Sequence, residues 1–442
     1  MATTAHPLPS RTREHVFDST ASLLVKGYGW LPDLRRRAGG AEAVPVRLFG
    51  HRGVALHGPA AVEFFYDERN VHRADAVPGP VLDTLFGRGA VHTLDGAAHR
   101  DRKALFLAVL KDRERIDDLV DRAGAVWDEA AGDRWPGQGR VVLFDEAARI
   151  LTRAVHDWAG IPLPEEAQEE TARDLVAMVD GFAAVGPRHL RARWARKRQE
   201  ERLAPLIEEI RYAGALSGQA TVVQAVAAHR DVDGDQLDPR TGAVELLNVI
   251  RPTVAVAWFL TFAAHALHRW PQHRAALTAG GEGAARAFAQ EVRRFYPFAP
   301  FTGGLAARDT HWGEVPIPKG GLVLLDLYGH HHDPALWPRP YSFDPSRFAG
   351  RGTATVLDDL VPQGGGDPAT GHRCPGEDIT VALLAALAPR LAALPHSVPD
   401  QDLSIPLHRV PTRPHDGYVM EPGHPASTRT DTGPARKGHE HE

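Results

Sequence analysis

The chain holds one cysteine, and its neighbours suit a sulfur that binds metal. Cys374 stands in Gly371-His372-Arg373-Cys374-Pro375-Gly376-Glu377, after Pro362-Gln363-Gly364-Gly365-Gly366 and just before an apolar stretch of helical period. A thiol at a helix start meets free amides and the positive end of the dipole, which favour thiolate, the form a metal needs. Glycines at 364 to 366, 371 and 376 would let backbone approach a flat macrocycle. A second group with chemical potential is Arg251, in Asn248-Val249-Ile250-Arg251-Pro252-Thr253 within a long apolar run. A buried arginine without a partner is costly, and a carboxylate answers that cost through two parallel charge-assisted hydrogen bonds. An internal Asp or Glu could serve as that partner, and so could a ligand. His92 follows Phe86-Gly87-Arg88-Gly89-Ala90-Val91 and precedes a segment carrying His99 and Lys103. A lone histidine is more often structural, so its position has to justify a role.

The elements that must position these residues are mostly helices. Apolar residues recur at three- and four-residue intervals in Asp95 to Leu110, Arg113 to Trp135, Asp145 to Gly160 and Arg191 to Ala213. Asp238 to Trp270 reads as one long apolar helix that Pro252 should kink, since proline removes a backbone donor. Alternation at Val44, Val46 and Leu48, then Gly50 to Gly53, then Val54 to Leu56, predicts a hairpin. Short strands are expected from Gly303 to Leu325, irregular Pro/Gly-rich chain from Leu327 to Gly371, and helix again from Cys374 to Leu394. The expectation is a mainly α protein with a small β region: a single domain over residues 1–423, then a disordered tail, 424–442.

Composition sets limits. With 43% hydrophobic and 24% charged residues in 442, a large core is expected. A formal charge of -5 lacks the basic footprint of a nucleic-acid binder. One cysteine forms no internal disulfide, which suits the cytoplasm. No segment reaches about 18 uninterrupted apolar residues, so a soluble chain without stable membrane insertion is expected. Asp231, Asp233 and Asp235 fail as a calcium loop because position twelve is Gly242. His330-His331-His332 lacks zinc-ligand spacing. Arg188, Arg191, Arg193, Arg196, Lys197 and Arg198 form a basic cluster, most simply a solvated helix face.

Several separated motifs together resemble the cytochrome P450 family over nearly the whole chain. Glu291-Val292-Arg293-Arg294 matches its ExxR element, and Phe343-Asp344-Pro345-Ser346-Arg347-Phe348 its Pro-x-Arg-Phe element. ExxR alone means little, because the same spacing occurs at Glu146 to Arg149, Glu170 to Arg173 and Glu208 to Arg211, as helical ion pairs give. Only Glu291 is followed by His332-Asp333-Pro334, Trp337, Pro340, Arg347 and the Cys374 loop in family order. The resemblance implies the P450 helical prism, haem b held by Cys374 as axial iron ligand, and a Glu291-Arg294-Arg347 charge network. It leaves Arg73, His99, Lys103 and Arg373 as candidates for the haem propionates.

Two departures point to a subgroup. Asp367 stands seven positions before the cysteine, where the family usually has an aromatic residue. The acid-alcohol pair of ordinary monooxygenases is replaced by Arg251-Pro252. That pair resembles the fatty-acid peroxygenases, which use hydrogen peroxide without an electron-transfer partner and let the substrate carboxylate act as the acid-base group. The resemblance assigns Arg251, Pro252 and His92 to catalysis and Arg251 and Phe86 to substrate binding, with Phe298 and Phe301 as acyl-channel candidates or core. His at position 92 resembles the decarboxylating branch, where an imidazole able to donate a proton near neutral pH would favour a terminal alkene over hydroxy acids. The competing readings are a redox-partner-dependent monooxygenase and a non-catalytic haem-thiolate sensor or carrier.

Overall fold

The computed structural model describes residues 17–214, 220–351 and 358–423. Two of its parts bear on the site: a helical body and a five-stranded sheet. The predicted hairpin forms from β1 (Ala43–Leu48) and β2 (His51–Leu56), paired antiparallel from Ala43↔Leu56 to Leu48↔His51. β3 (Val71–His72), β4 (Phe301–Ala306) and β5 (Leu322–Asp326) complete the order β1-β2-β5-β4-β3, with β2 and β5 parallel and the other pairs antiparallel. Val54, Leu56, Val323 and Leu325 are buried on one face, against Phe65 of the helix Pro59–Tyr66.

Six helices carry the site: α1 (Gly96–Leu110), α2 (Pro187–Ala213), α3 (Pro239–Val254), α4 (Val256–Arg269), α5 (Gly281–Phe295) and α6 (Glu377–Ala393). The long helix expected from Asp238 to Trp270 is α3 and α4, separated at Ala255. Asp238 starts α3, its carboxylate accepting the amides of Arg240 and Thr241, with Pro239 at the first helical position. The break lies three residues beyond Pro252, where Trp258 N–H turns to Ala255 O at 3.1 Å. The combined span Pro239–Arg269 is apolar enough to cross a membrane by composition, but 94% of its most apolar window is buried in protein. Leu260, Phe262, Ala263 and Leu267 of α4 have no exposed surface, and burying each large apolar side chain contributes about 1.5–3 kcal/mol. α6 packs against α4 and α5, with Leu383, Leu387 and Leu391 fully buried. The 424–442 tail lies outside the described residues.

Candidate haem site

Cys374 lies two residues before Gly376, the N-cap of α6. Its amide donates to Gln363 O at 3.1 Å. Lys103 of α1 fastens the same loop, its Nζ donating to Gly371 O at 2.9 Å and Arg373 O at 2.6 Å. The ammonium expected at a propionate thus spends two of its three donors on backbone. Behind the sulfur stands a buried set the sequence reading did not single out. Gln363 Nε2 donates to Thr380 Oγ1 at 3.1 Å and lies 3.8 Å from Cys374 Sγ, while its Oε1 accepts Arg293 Nε at 3.0 Å. Arg293 pairs with Glu377, and Arg373 reaches the same carboxylate at 2.6 Å and Leu360 O at 3.0 Å. Arg373, expected at a propionate, has its guanidinium on Glu377. Position offered a clue, since Arg293 lies inside the ExxR run and Glu377 three residues after the cysteine.

The glycine loop also differs from expectation. Gly364 and Gly366 have φ of +102° and +75°, and a Cβ on 364, 365 or 366 would strike Tyr66 or Val62 within 3.0 Å. These glycines admit a close approach to the helix Pro59–Tyr66 as well as a left-handed backbone. The thiol departs too: burial pushes Cys374 up from its ordinary value and Glu377 adds to the rise, outweighing the Gly376 amide, Lys103 and Arg293. The thiolate expected from the helix start needs a bound cation to hold it.

Glu291, Arg294 and Arg347 come together. Arg294 Nη2 and Nε donate to the Glu291 carboxylate at 2.7 and 2.8 Å, both side chains fully buried, and Arg347 Nε lies 3.6 Å from it. Arg294 also donates to His331 O and Pro340 O at 2.8 and 3.0 Å, and Asp344 N–H to Glu291 at 2.8 Å. Three segments are thereby tied to α5.

Arg251 is 5% exposed, and among the described residues it makes no ion pair. Its Nη2 donates to Asn248 Oδ1 at 3.2 Å, and its Nε is buried without a hydrogen-bond partner. Burial, then the nearby charge of Arg196, lowers its pKa to about 9, and Cys374 acts in the opposite direction. The buried cations beside it are already matched, Arg102 with Glu245 and Arg196 with Glu200, each at 2.7 Å. Thr253, two residues on, turns its hydroxyl back to Val249 O at 3.0 Å.

Phe86 lies between Arg251 and His92. Its ring stacks on His92 at 4.2 Å and meets the Arg251 guanidinium at 5.9 Å. The basic cluster on α2 is not a uniform solvated face, because Arg196 is buried and donates to Leu85 O and Phe86 O at 2.7 and 3.0 Å. His92 Nδ1 is buried without a partner. Burial first, then Arg251 and Arg73, hold this imidazole well below its ordinary value. These surroundings disfavour the protonated ring.

Arg73 and His99 approach from one edge. Arg73 Nη1 donates to Thr302 Oγ1 at 3.0 Å, leaving Nε buried without a hydrogen bond; His99 stacks on His372 at 3.9 Å, its Nδ1 also without a hydrogen bond and 3.9 Å from the Glu68 carboxylate. Phe298 packs on Phe259 at 5.0 Å and Phe301 on Trp30 at 5.7 Å, so both also serve the core. Each of the three adjacent histidines has a protein partner: His330 Nε2 with Asp359 O, His331 Nε2 with Val361 N–H, and His332 Nδ1 with Tyr328 O.

The donor set fits haem: a half-buried cysteine thiol, together with nitrogens of Arg73, His99, His92 and Arg251 that are buried without a hydrogen-bond partner. The fold and this site define a helical haem-thiolate protein. A family model described as Cytochrome P450 matches residues 285–386, which hold the ExxR helix and the cysteine loop. Solved structures match far more of the chain. Cytochrome P450SP alpha (CYP152B1) in complex with (R)-ibuprophen is 42% identical, covering 91% of this chain and 98% of that one, with a TM-score of 0.87. Cytochrome P450EX alpha (CYP152N1) with myristic acid is 35% identical, covering 91% and 96%, at a TM-score of 0.85. A single-substitution variant of cytochrome P450 OleT in complex with arachidonic acid is 33% identical, covering 93% and 98%, at 0.88. The match to Cytochrome P450 4A7 of Oryctolagus cuniculus, 33% identical over 133 residues, spans only 25% of that relative. The chain belongs to the cytochrome P450 family.

Proposed function

We propose that the chain is a haem-thiolate fatty-acid peroxygenase and decarboxylase. It uses one hydrogen peroxide to convert a long-chain fatty acid to a terminal alkene one carbon shorter, carbon dioxide and two waters. Competing α- and β-hydroxylation yields a hydroxy acid and one water. The observation that carries this reading is Arg251, a buried guanidinium without a counter-ion beside two arginines that have theirs. A fatty-acid carboxylate completes that balance. The three neighbouring structures named above hold carboxylic acids, which supports the same ligand class.

Haem, held by Cys374, supplies peroxide-driven oxidation at iron. Arg251 would hold the acid head, so that oxidation falls on the α and β carbons and not further along the acyl chain. The carboxylate on Arg251 then stands where other P450s place an acid and an alcohol, and it can take and return the peroxide proton. Pro252 fixes the helix one residue beyond the anchor. Phe86 covers the anchor from water. A bound carboxylate cancels the Arg251 charge that disfavours protonation of His92. The reading includes a soluble cytoplasmic setting and no obligatory redox partner. Arg73 and His99 are assigned to the propionates.

The test is product analysis of the purified holoenzyme with hydrogen peroxide and long-chain fatty acids, without reductant. Alkenes and 2- or 3-hydroxy acids are expected. Products only with reductant and a ferredoxin or flavoprotein would indicate a monooxygenase, and none under either condition a sensor or carrier.

A further inference from the structure

We propose that Glu245 is a positioning residue that couples the Arg251 anchor to the loop bearing His92, and so sets how a bound acid partitions between alkene and hydroxy acid. The partition rests on the function proposed above; the coupling stands on geometry alone. Glu245 has no exposed surface, and the chemistry described so far does not use it. Its Oε1 accepts Val91 N–H at 2.8 Å and Arg102 Nη1 at 2.7 Å. Its Oε2 accepts Asn248 Nδ2 at 3.1 Å. Asn248 in turn offers Oδ1 to Arg251 at 3.2 Å and donates to Phe86 O at 2.9 Å.

One carboxylate therefore reaches both halves of the site. Through Asn248 it orients the guanidinium, and through the Val91 amide it holds the residue before His92. Spacing makes this possible, because Glu245, Asn248 and Arg251 follow one another at three-residue intervals along one side of α3. The two groups it aligns have few other constraints: Arg251 Nε and His92 Nδ1 lack partners.

All three groups on Glu245 are donors, so an amide in its place can satisfy only those facing its oxygen. Turning the oxygen to Val91 and Arg102 sets two amide donors against each other at Asn248. Asn248 must then flip, and Arg251 loses its acceptor.

The experiment compares wild-type holoenzyme with Glu245→Gln, Arg102→Lys and Asn248→Ala at matched haem content. Three quantities are read: the alkene-to-hydroxy-acid ratio, fatty-acid affinity from the spin-state titration, and amide exchange across residues 89–93. Glu245→Gln is expected to weaken acid binding roughly tenfold, lower the alkene fraction and speed Val91 exchange. Arg102→Lys keeps the counter-charge and both links, and should keep the ratio. Asn248→Ala severs only the arginine arm, and should weaken acid binding while leaving Val91 protected. Should Glu245→Gln fail to hold haem, Asn248→Ala decides: wild-type affinity and ratio there overturn the proposal. Wild-type values of all three quantities in Glu245→Gln overturn it as well. If the wild-type protein forms no product from peroxide and acid, the function reading and the partition fall, while affinity and exchange still decide the coupling.

Discussion

The two sides of the haem site solve opposite electrostatic problems. On the sulfur side every one of these arginines has a carboxylate of the chain, two to each: Arg294 and Arg347 on Glu291, Arg293 and Arg373 on Glu377. On the Arg251 side the chain matches Arg102 and Arg196, then stops one anion short. The first pattern fixes a scaffold, because a buried pair that loses one member leaves an uncompensated charge. The second asks for a ligand. The difference lies in whether each buried arginine touches a carboxylate of the chain, since both sides are buried.

Substitutions can sharpen that contrast. Cys374→Ala should have the largest effect, abolishing the ferrous carbonyl band of thiolate ligation and all turnover. Arg294→Leu should cost about 3–5 kcal/mol of stability, read as early thermal unfolding and low haem retention, because it strands Glu291. Arg251→Ala should cost about 2–5 kcal/mol in acid binding or turnover, yet leave folding and the carbonyl band in place. If Arg251→Ala unfolded the protein as Arg294→Leu does, the two sides would not differ.

A smaller effect should appear with pH. With its pKa lowered to about 9, Arg251 is charged below that value and neutral above it, so affinity for a carboxylate should hold from neutral pH and fall as pH rises through about 9. Bound acid favours the charged form, which moves the fall to higher pH in the complex. A spin-state titration from pH 7 to 10 checks this. His92→Gln should have the mildest effect, shifting product from alkene toward hydroxy acid with total turnover changed by less than about tenfold; an unchanged ratio would remove His92 from the account.

The two sides were also unequally legible in the sequence. Cys374, Glu291, Arg294 and Arg347 could be picked out because they sit in runs of fixed order, and the helical period located most of the helices around them. The break at Ala255 was less visible, because apolar periodicity continues across it and only Pro252 hinted at a change of axis. The protein partners of Lys103 and Arg373 were not legible, because long cationic side chains near a cofactor loop can meet its backbone carbonyls or a buried acid as readily as a propionate. Arg196 was hidden within a basic cluster that looked uniformly exposed, since composition does not show which member of a helix turns inward. The lowered basicity of His92 needed the burial and charges that only the fold supplies. Glu245 and Asn248 were present at helical spacing from Arg251, but their partners come from residues 86, 91 and 102.

The most direct measurement is a paired spin-state titration of the holoenzyme with a long-chain fatty acid and the alcohol of equal length, repeated on Arg251→Leu. A guanidinium awaiting an anion predicts that the acid binds the wild-type protein far more tightly than the alcohol, and that this preference vanishes in the variant. Equal binding of acid and alcohol by the wild-type protein, or a preference that survives the loss of Arg251, would contradict it.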